Sequence, residues 1–341
     1  IRDDLVTGVQ TCALPIFATV DRVLNQRPGV REKTIAKVEA AIAALGYIRD
    51  VSAANLAKGL AYHFAFVIPE GSNSFMRGLE AEIEAVKQHS TAERTEISIY
   101  KVPPFDGPAL AATLDGLDPK RYSGVAVVAT EAVAVRDALA RLRRNNVPVV
   151  TLVSDVPAFQ SDAYVGIDNV AAGRTAARLM GKFLGGRPGK IALVAGSMLV
   201  RDHVERRMGF EQIIRSDYAH VHCLPVIEGK DDSRIVHEYL SECLQTHADV
   251  VGVYNMGAGN RGLIEVLSAD THKERVVIAH ELTEHTRRAL NAGILDAIIH
   301  QDAGHEVRSA LRILKAKIEK TPLLAGQETI RIEIYLNENL S

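Results

Sequence analysis

Residues 164–184 read YVGIDNVAAGRTAARLMGKFL, and the pattern of this stretch decides the fold. A short apolar run at Tyr164-Val165 passes through Gly166 and Asp168 into Ala171–Leu184, where apolar residues recur at helical spacing. The same alternation extends in both directions. Apolar runs at Ala65–Ile68, Ile97–Tyr100, Val125–Val128, Val149–Val153, Ile191–Val194, Val250–Tyr254, Val276–Ala279 and Ala297–Ile299 read as buried parallel strands. Amphipathic stretches lie between them, at Gly78–His89, Ala132–Asn145, Ala171–Leu184, Glu205–Ser216, Ser233–Thr246 and His305–Lys320. Alternation of this kind predicts a doubly wound α/β fold. About 280 residues are too many for one small sheet, so two Rossmann-like lobes are expected. The chain is expected to cross to the second lobe near Tyr164–Asn169 and to cross back after Ile299. Lobe 1 is then about 61–164 with 300–325, and lobe 2 about 165–299 with 326–341.

Composition narrows the class. Apolar residues make up 47% and charged residues 24% of 341, ordinary for a soluble globular protein. No apolar run approaches the eighteen or so residues of a membrane span, and no secretory signal is read at the start. Cys12, Cys223 and Cys243 have neither paired nor metal-ligand spacing, which suits a reducing cytosol. His280, His285, His300 and His305 cluster late in the chain and are expected to be structural or solvated, so no metal and no cofactor is expected. The net charge is −2 but uneven. Arg22, Arg27, Arg31, Lys33, Lys37, Arg49 and Lys58 outnumber Asp21, Glu32, Glu39 and Asp50, which places a basic head on an acidic body and suits docking of one end on phosphate.

Residues 1–16 (IRDDLVTGVQTCALPI) have no periodicity, and Val6–Ile16 matches a translated sequencing-library adapter. They are expected to be an artefact and are kept out of fold reasoning. From Phe17 the pattern is all-α. Val20, Val23 and Leu24 share a face of a short helix over Phe17–Leu24, and Asn25–Gly29 favours a turn. Ile35, Val38, Ile42 and Leu45 share a face of a helix over Thr34–Leu45, which Gly46 ends. Two short helices bury too little surface alone, so a preceding helix is expected to be missing from this polypeptide.

Ala18-Thr19-Val20-Asp21-Arg22-Val23-Leu24-Asn25, Pro28-Gly29-Val30, Lys33-Thr34 and Leu45-Gly46-Tyr47 together resemble the helix-turn-helix head of the lactose-repressor (LacI/GalR) family. The resemblance covers residues 17 to about 340, and is strongest in the head and at 166–184. It implies that Thr19–Asn25 is the recognition helix, with Phe17, Ala18 and Arg22 facing base edges and Thr19 gripping phosphate. An Arg bidentate to guanine is worth about 1–3 kcal/mol of discrimination. Asp21 stands where the family has Ser. Residues 17–49 would be the partial DNA-binding head and 50–60 a hinge helix, whose Leu56 wedges into the minor groove. The body would be of periplasmic binding protein type I, with the carboxyl ends of both sheets facing one cleft. The partners implied are a palindromic double-stranded DNA operator, a small sugar or polyol effector and a second copy of the chain as homodimer.

Candidate effector contacts lie at the strand ends. Asn73 and Phe75 follow the first strand, and a flat aromatic ring stacks on a sugar face. Asp168, in a motif similar to the family's, reaches ligand or caps the next helix. Arg206 falls where the family has its sugar-binding Arg, whose fork of fixed donors suits a polyol. Asn255 and Gln301 match family positions, while Met256 and Glu281 stand where Asp is usual, leaving the effector open. Gly257–Gly262 mimics a dinucleotide loop but lacks a clean acidic partner, and neither a phosphate loop nor a nucleophile elbow occurs. The chain is therefore expected to be a ligand-controlled regulator, a repressor, and not an enzyme. The alternative is a solute receptor that delivers sugar without binding DNA.

Overall fold

The computed structural model describes residues 17–24, 28–45, 61–90, 94–157, 159–269, 274–324 and 326–340. Asn25, Leu56 and the expectations for 1–16 and 46–60 lie outside them. The chain divides into two compact units, Ile1–Leu60 and Ala61–Ser341.

In the first unit, α1 (Phe17–Leu24) and α2 (Glu32–Leu45) flank a turn in which Gly29 adopts φ 97°, open to glycine without strain. Val20, Val38 and Ala41 are buried with Val23, Leu24 and Ile42 packed on them. The helix positions match the periodicity, but Leu45 is exposed.

The second unit holds two sheets. The first has the order β2-β1-β3-β4-β5, all parallel, from β1 (Tyr62–Pro69), β2 (Thr95–Val102), β3 (Gly124–Val127), β4 (Val149–Leu152) and β5 (Ala163–Val165). Alternation along β1 sends Phe64, Phe66 and Ile68 to one face and Ala65 and Val67 to the other. All five are fully buried, which is why this strand reads as an unbroken apolar run. On the Ala65 face pack α4 (Gly107–Asp115) and α5 (Val133–Arg144), through Leu110, Leu114, Leu139 and Leu142. On the Phe64 face pack α3 (Ser74–Ser90), through Leu79 and Ile83, and a helix arriving from far along the chain, α11 (Ala303–Glu319), through Leu314.

The second sheet has the order β11-β10-β9-β8-β6-β7, from β6 (Gly189–Ala195), β7 (Val221–Glu228), β8 (Val250–Asn255), β9 (Val276–His280), β10 (Ala297–His300) and β11 (Glu333–Tyr335). Its pairs are parallel except β10–β11. On one face lie α6 (Asn169–Leu184) and α7 (Arg201–Asp217), and on the other α8 (Ser233–Thr246), α9 (Asn260–Ala269) and α10 (Glu284–Asn291). The chain passes from the first sheet to the second between β5 and α6, returns between β10 and α11, and ends on the second sheet at β11.

The sequence pattern misses β7 and β11 and shows β5 only as the short run at Tyr164-Val165. β5 and β11 are three residues long. β7 is a half-buried edge strand with Pro225, and its pairing with β6 shifts register there. An edge tolerates the missing N–H that a central strand does not. No helix among the described residues is long and apolar enough to cross a membrane.

Candidate functional site

Segments at the carboxyl ends of β1, β3, β4, β7, β8, β9 and β10, with the start of α7, line one cavity of about 260 Å³ between the two sheets. That is just below the ~300–1,000 Å³ of ordinary small-molecule pockets and suits a small ligand. Buried polar side chains, Asp202, His203, Arg206, Glu281 and Gln301, lie along its lining.

Arg206 is positioned by helix packing. Gly173 on α6 and Gly209 on α7 face the partner helix, where a Cβ would drive into the carbonyls of Arg206 and Val170 respectively. Without those two methyl groups the helices approach closely enough for Arg206 to reach across. Its Nε donates to Asn169 Oδ1 at 2.8 Å and its Nη1 to the Met256 carbonyl at 2.8 Å. Nη2 lies 3.9 Å from Glu281 Oε1 and makes no hydrogen bond. Met256, which replaces the Asp of the resembled family, buries its side chain in the core and presents only its backbone here.

Glu281 holds a left-handed backbone, φ 71°, at the end of β9. A non-glycine residue there costs about 1–3 kcal/mol and persists only where its surroundings determine it. Those surroundings are its N–H to the Ile299 carbonyl at 2.8 Å, Gln301 Nε2 donating to Oε1 at 2.8 Å, and His300 Nδ1 3.2 Å from Oε2. Burial works to lower the His300 pKa, but the Glu281 carboxylate holds it above its ordinary value. His280, fully buried against the Tyr254 hydroxyl, is pushed well below its ordinary value by burial and then by Arg206, so it stays neutral. Among the described residues no group of side chains forms a metal-ligand cluster.

Asn73 starts α3. Its Oδ1 accepts from the N–H of Phe75 and Met76, and its Nδ2 donates across the cleft to Asp231 Oδ2 at 2.7 Å. Phe75 lines the cavity while most of its ring packs in the core, leaving it 9% exposed. Two more bonds span the cleft, Ser72 Oγ to the Asp231 carbonyl at 3.2 Å and Arg201 N to Ser154 Oγ at 3.2 Å. Asp231 and Lys230 both have positive φ, 58° and 49°. Burial raises the Asp231 pKa, opposed by His203 and by the Asn73 bond.

The structure thus brings Asn73, Phe75, Arg206, Glu281 and Gln301 to one cavity. It does not bring Asp168 or Asn255 there. Asp168 is exposed and caps α6 by accepting from Ala171 N at 2.9 Å, the capping role left open for it above. Asn255 is fully buried beneath the wall, where it donates to Asn260 Oδ1 at 2.7 Å and accepts from Gly257 N at 3.1 Å, shaping the loop rather than facing the cavity. Sequence reasoning passed over Asp202, His203 and Asp231. Asp202 had a signal, because it lies four residues before Arg206 on one helix face. Asp231 follows the unrecognised strand β7.

In the head, Ala18 and Arg22 are exposed on α1 at i, i+4 spacing, Thr19 is half-buried and Val20 fills the core. Phe17 opens the same helix.

Two mainly parallel sheets with a cavity lined by buried polar side chains at their strand ends define a two-lobed binding protein. A family model described as "Periplasmic binding protein domain" matches residues 64–322, and one described as "Bacterial regulatory proteins, lacI family" matches residues 17–50. The chain belongs to the periplasmic binding protein domain family and carries a helix-turn-helix head of the lacI family of bacterial regulators. No curated protein matches the sequence. Among solved structures, it is similar to a glucose-galactose binding protein from Geobacillus stearothermophilus (TM-score 0.73, 20% identity, 82% of this chain and 99% of that one). It is similar also to a solute binding protein of an ABC transporter from Burkholderia graminis in complex with D-arabinose (0.71, 20%, 82% and 96%). A third match is a putative LacI transcriptional regulator from Bacteroides fragilis (0.71, 17%, 82% and 98%). At these identities the likeness shows the fold.

Proposed function

We propose that this protein is a DNA-binding transcription regulator, a repressor, whose hold on a palindromic operator is set by a small sugar-like effector in the cleft. The observation that carries the effector half is the set of buried polar atoms around the cavity. Among the described residues Arg206 Nη2, Gln301 Oε1, Asp202 Oδ1 and Asp231 Oδ1 have no hydrogen-bond partner. Buried polar groups are otherwise nearly always paired, and a polyol supplies donors and acceptors together. The similar proteins described as binding glucose, galactose and arabinose support the same ligand class. The order of parts, a lacI-family head before a two-lobed body, supports the DNA half, with Ala18, Thr19 and Arg22 as contacts along with Phe17, Asn25 and Leu56. The working form is a homodimer in the cytoplasm, and effector acts through its different affinities for two lobe arrangements. No catalytic role is assigned to the cleft.

Thermal melts against a sugar panel test the effector. A ligand at about 100 times its Kd adds roughly 2.7 kcal/mol of stability. Mobility shifts of the full gene product on genomic fragments test the DNA half. A sugar-dependent melt without any retained fragment would instead support a solute receptor, the second reading that the transport-protein similarities favour.

A further inference from the structure

At one corner of the cleft the buried carboxylates outnumber the cations. Arg206, 2% exposed, is answered by the nearby Glu281 carboxylate. Asp202, 7% exposed, has His203 as its neighbour, with Nε2 3.6 Å from Oδ2. Asp231 shares that histidine and takes only uncharged bonds, from Asn73 and from the Ala258 backbone. Even with His203 protonated, two carboxylates face one cation. Of the remaining basic residues of the lining, Lys230 and Arg261 are exposed at its margin and His285 is half-buried.

Asp202, His203 and Asp231 form one built corner. A Cβ at Gly196 would strike Asp231 Oδ1 and come within 2.9 Å of His203 Cε1, and one at Gly257 would sit 2.8 Å from His203 Nε2. The three side chains are thus seated on backbone that has no Cβ. Asp202 stands in the first turn of α7, where the helix dipole favours a carboxylate. The dipole accounts for the charge but leaves Oδ1 without a donor. A hydroxyl would give that oxygen one hydrogen bond and no compensating charge. An ammonium group gives three donors and the charge together, and a buried charge is costly unless it is both paired and hydrogen-bonded.

We infer that the Asp202–Asp231 corner receives a protonated amine, so the effector is an amino sugar or amino polyol, and sugar phosphates and sugar acids are shut out. This rests on reading the cleft as a sugar site. The test is calorimetry at pH 7 on the full chain with D-glucosamine and D-galactosamine, their neutral parents, and D-glucose 6-phosphate. The expected result is an amino sugar at least tenfold tighter than its parent, with no heat from the phosphate. Asp202→Asn and Asp231→Asn, each checked for an intact melt, should bring that ratio towards one. A neutral parent bound as tightly as its amine, or a ratio unmoved by both substitutions, overturns this inference and leaves the sugar reading standing. Silence from every sugar overturns both.

Discussion

Arg206 uses two of its three nitrogens, Nε and Nη1, to fix itself and leaves the third, Nη2, at the cavity wall. A planar fork can satisfy Asn169 Oδ1 and the Met256 carbonyl from one group, which a single ammonium on a flexible stem does not reproduce. Arg206→Lys is therefore expected to keep charge and fold yet weaken effector binding at least tenfold by calorimetry; unchanged affinity would show the fork to be idle. Glu306 is a different case. It is fully buried on α11 with neither carboxylate oxygen partnered, and burial, then Glu281, raises its pKa well above the ordinary 4.5. The folded state thus keeps a proton that the unfolded chain releases near 4.5, and stability is lost as pH rises from there towards the folded pKa. Glu306→Gln removes that loss, so melts should coincide with wild type near pH 4 and lie above it at pH 8. Strand ends in the sequence pointed to Asn73, Phe75, Arg206, Glu281 and Gln301, and the fold gathers these ends around one cavity. They led to Asn255, which lies beneath the wall, and at Asp168 to the cap, one of its two expected roles, since a strand end fixes where a side chain leaves the sheet but not whether it turns inward or caps its own loop.

The pair α6 and α7 shows how an element delivers a residue. Gly173 lies against the Arg206 carbonyl and Gly209 against that of Val170, so the helix faces meet backbone to backbone. In Gly173→Ala the new methyl group would meet backbone on the other helix, with no flexible side chain to give way. Overpacking of that kind costs about 1–3 kcal/mol. The melting temperature should fall, and effector affinity should fall with it, because Arg206 rides on the displaced helix. A fall in stability alone would mean that the spacing serves packing only. The alternation of strands and helices was legible wherever a strand is buried on both faces, as β1 is with five fully buried residues in succession. It was lost at β7, a half-exposed edge interrupted by Pro225, and the loss hid Asp231, which follows it. Elements at the margin of a sheet carry less apolar signal, and here one of them supplies a wall of the site.

Across the molecule, the two lobes are joined by bonds that span the cleft, and the strongest is Asn73 Nδ2 to the Asp231 carboxylate. A hydrogen bond to a charged group contributes about 1.5–3 kcal/mol, which would bias a closed over an open arrangement some ten- to a hundredfold. Asn73 also caps α3 through Oδ1, so alanine would confuse the two roles. Asn73→Asp separates them: the acceptor that caps α3 is kept, while the donor becomes an oxygen facing a second carboxylate. Without effector, small-angle X-ray scattering should then give a larger radius of gyration than wild type, and saturating effector should restore most of the difference. Apparent affinity should drop by the fraction of closed molecules lost, since ligand must first refill that state. Under the proposed regulator function, coupling to DNA would follow from the same equilibrium, with effector and this bond together populating or depleting whichever lobe arrangement grips DNA more tightly. If Asn73→Asp leaves the scattering curve of the unliganded protein unchanged, this bond does not set the balance between open and closed lobes, which then rests on the crossing segments and the two remaining bonds across the cleft.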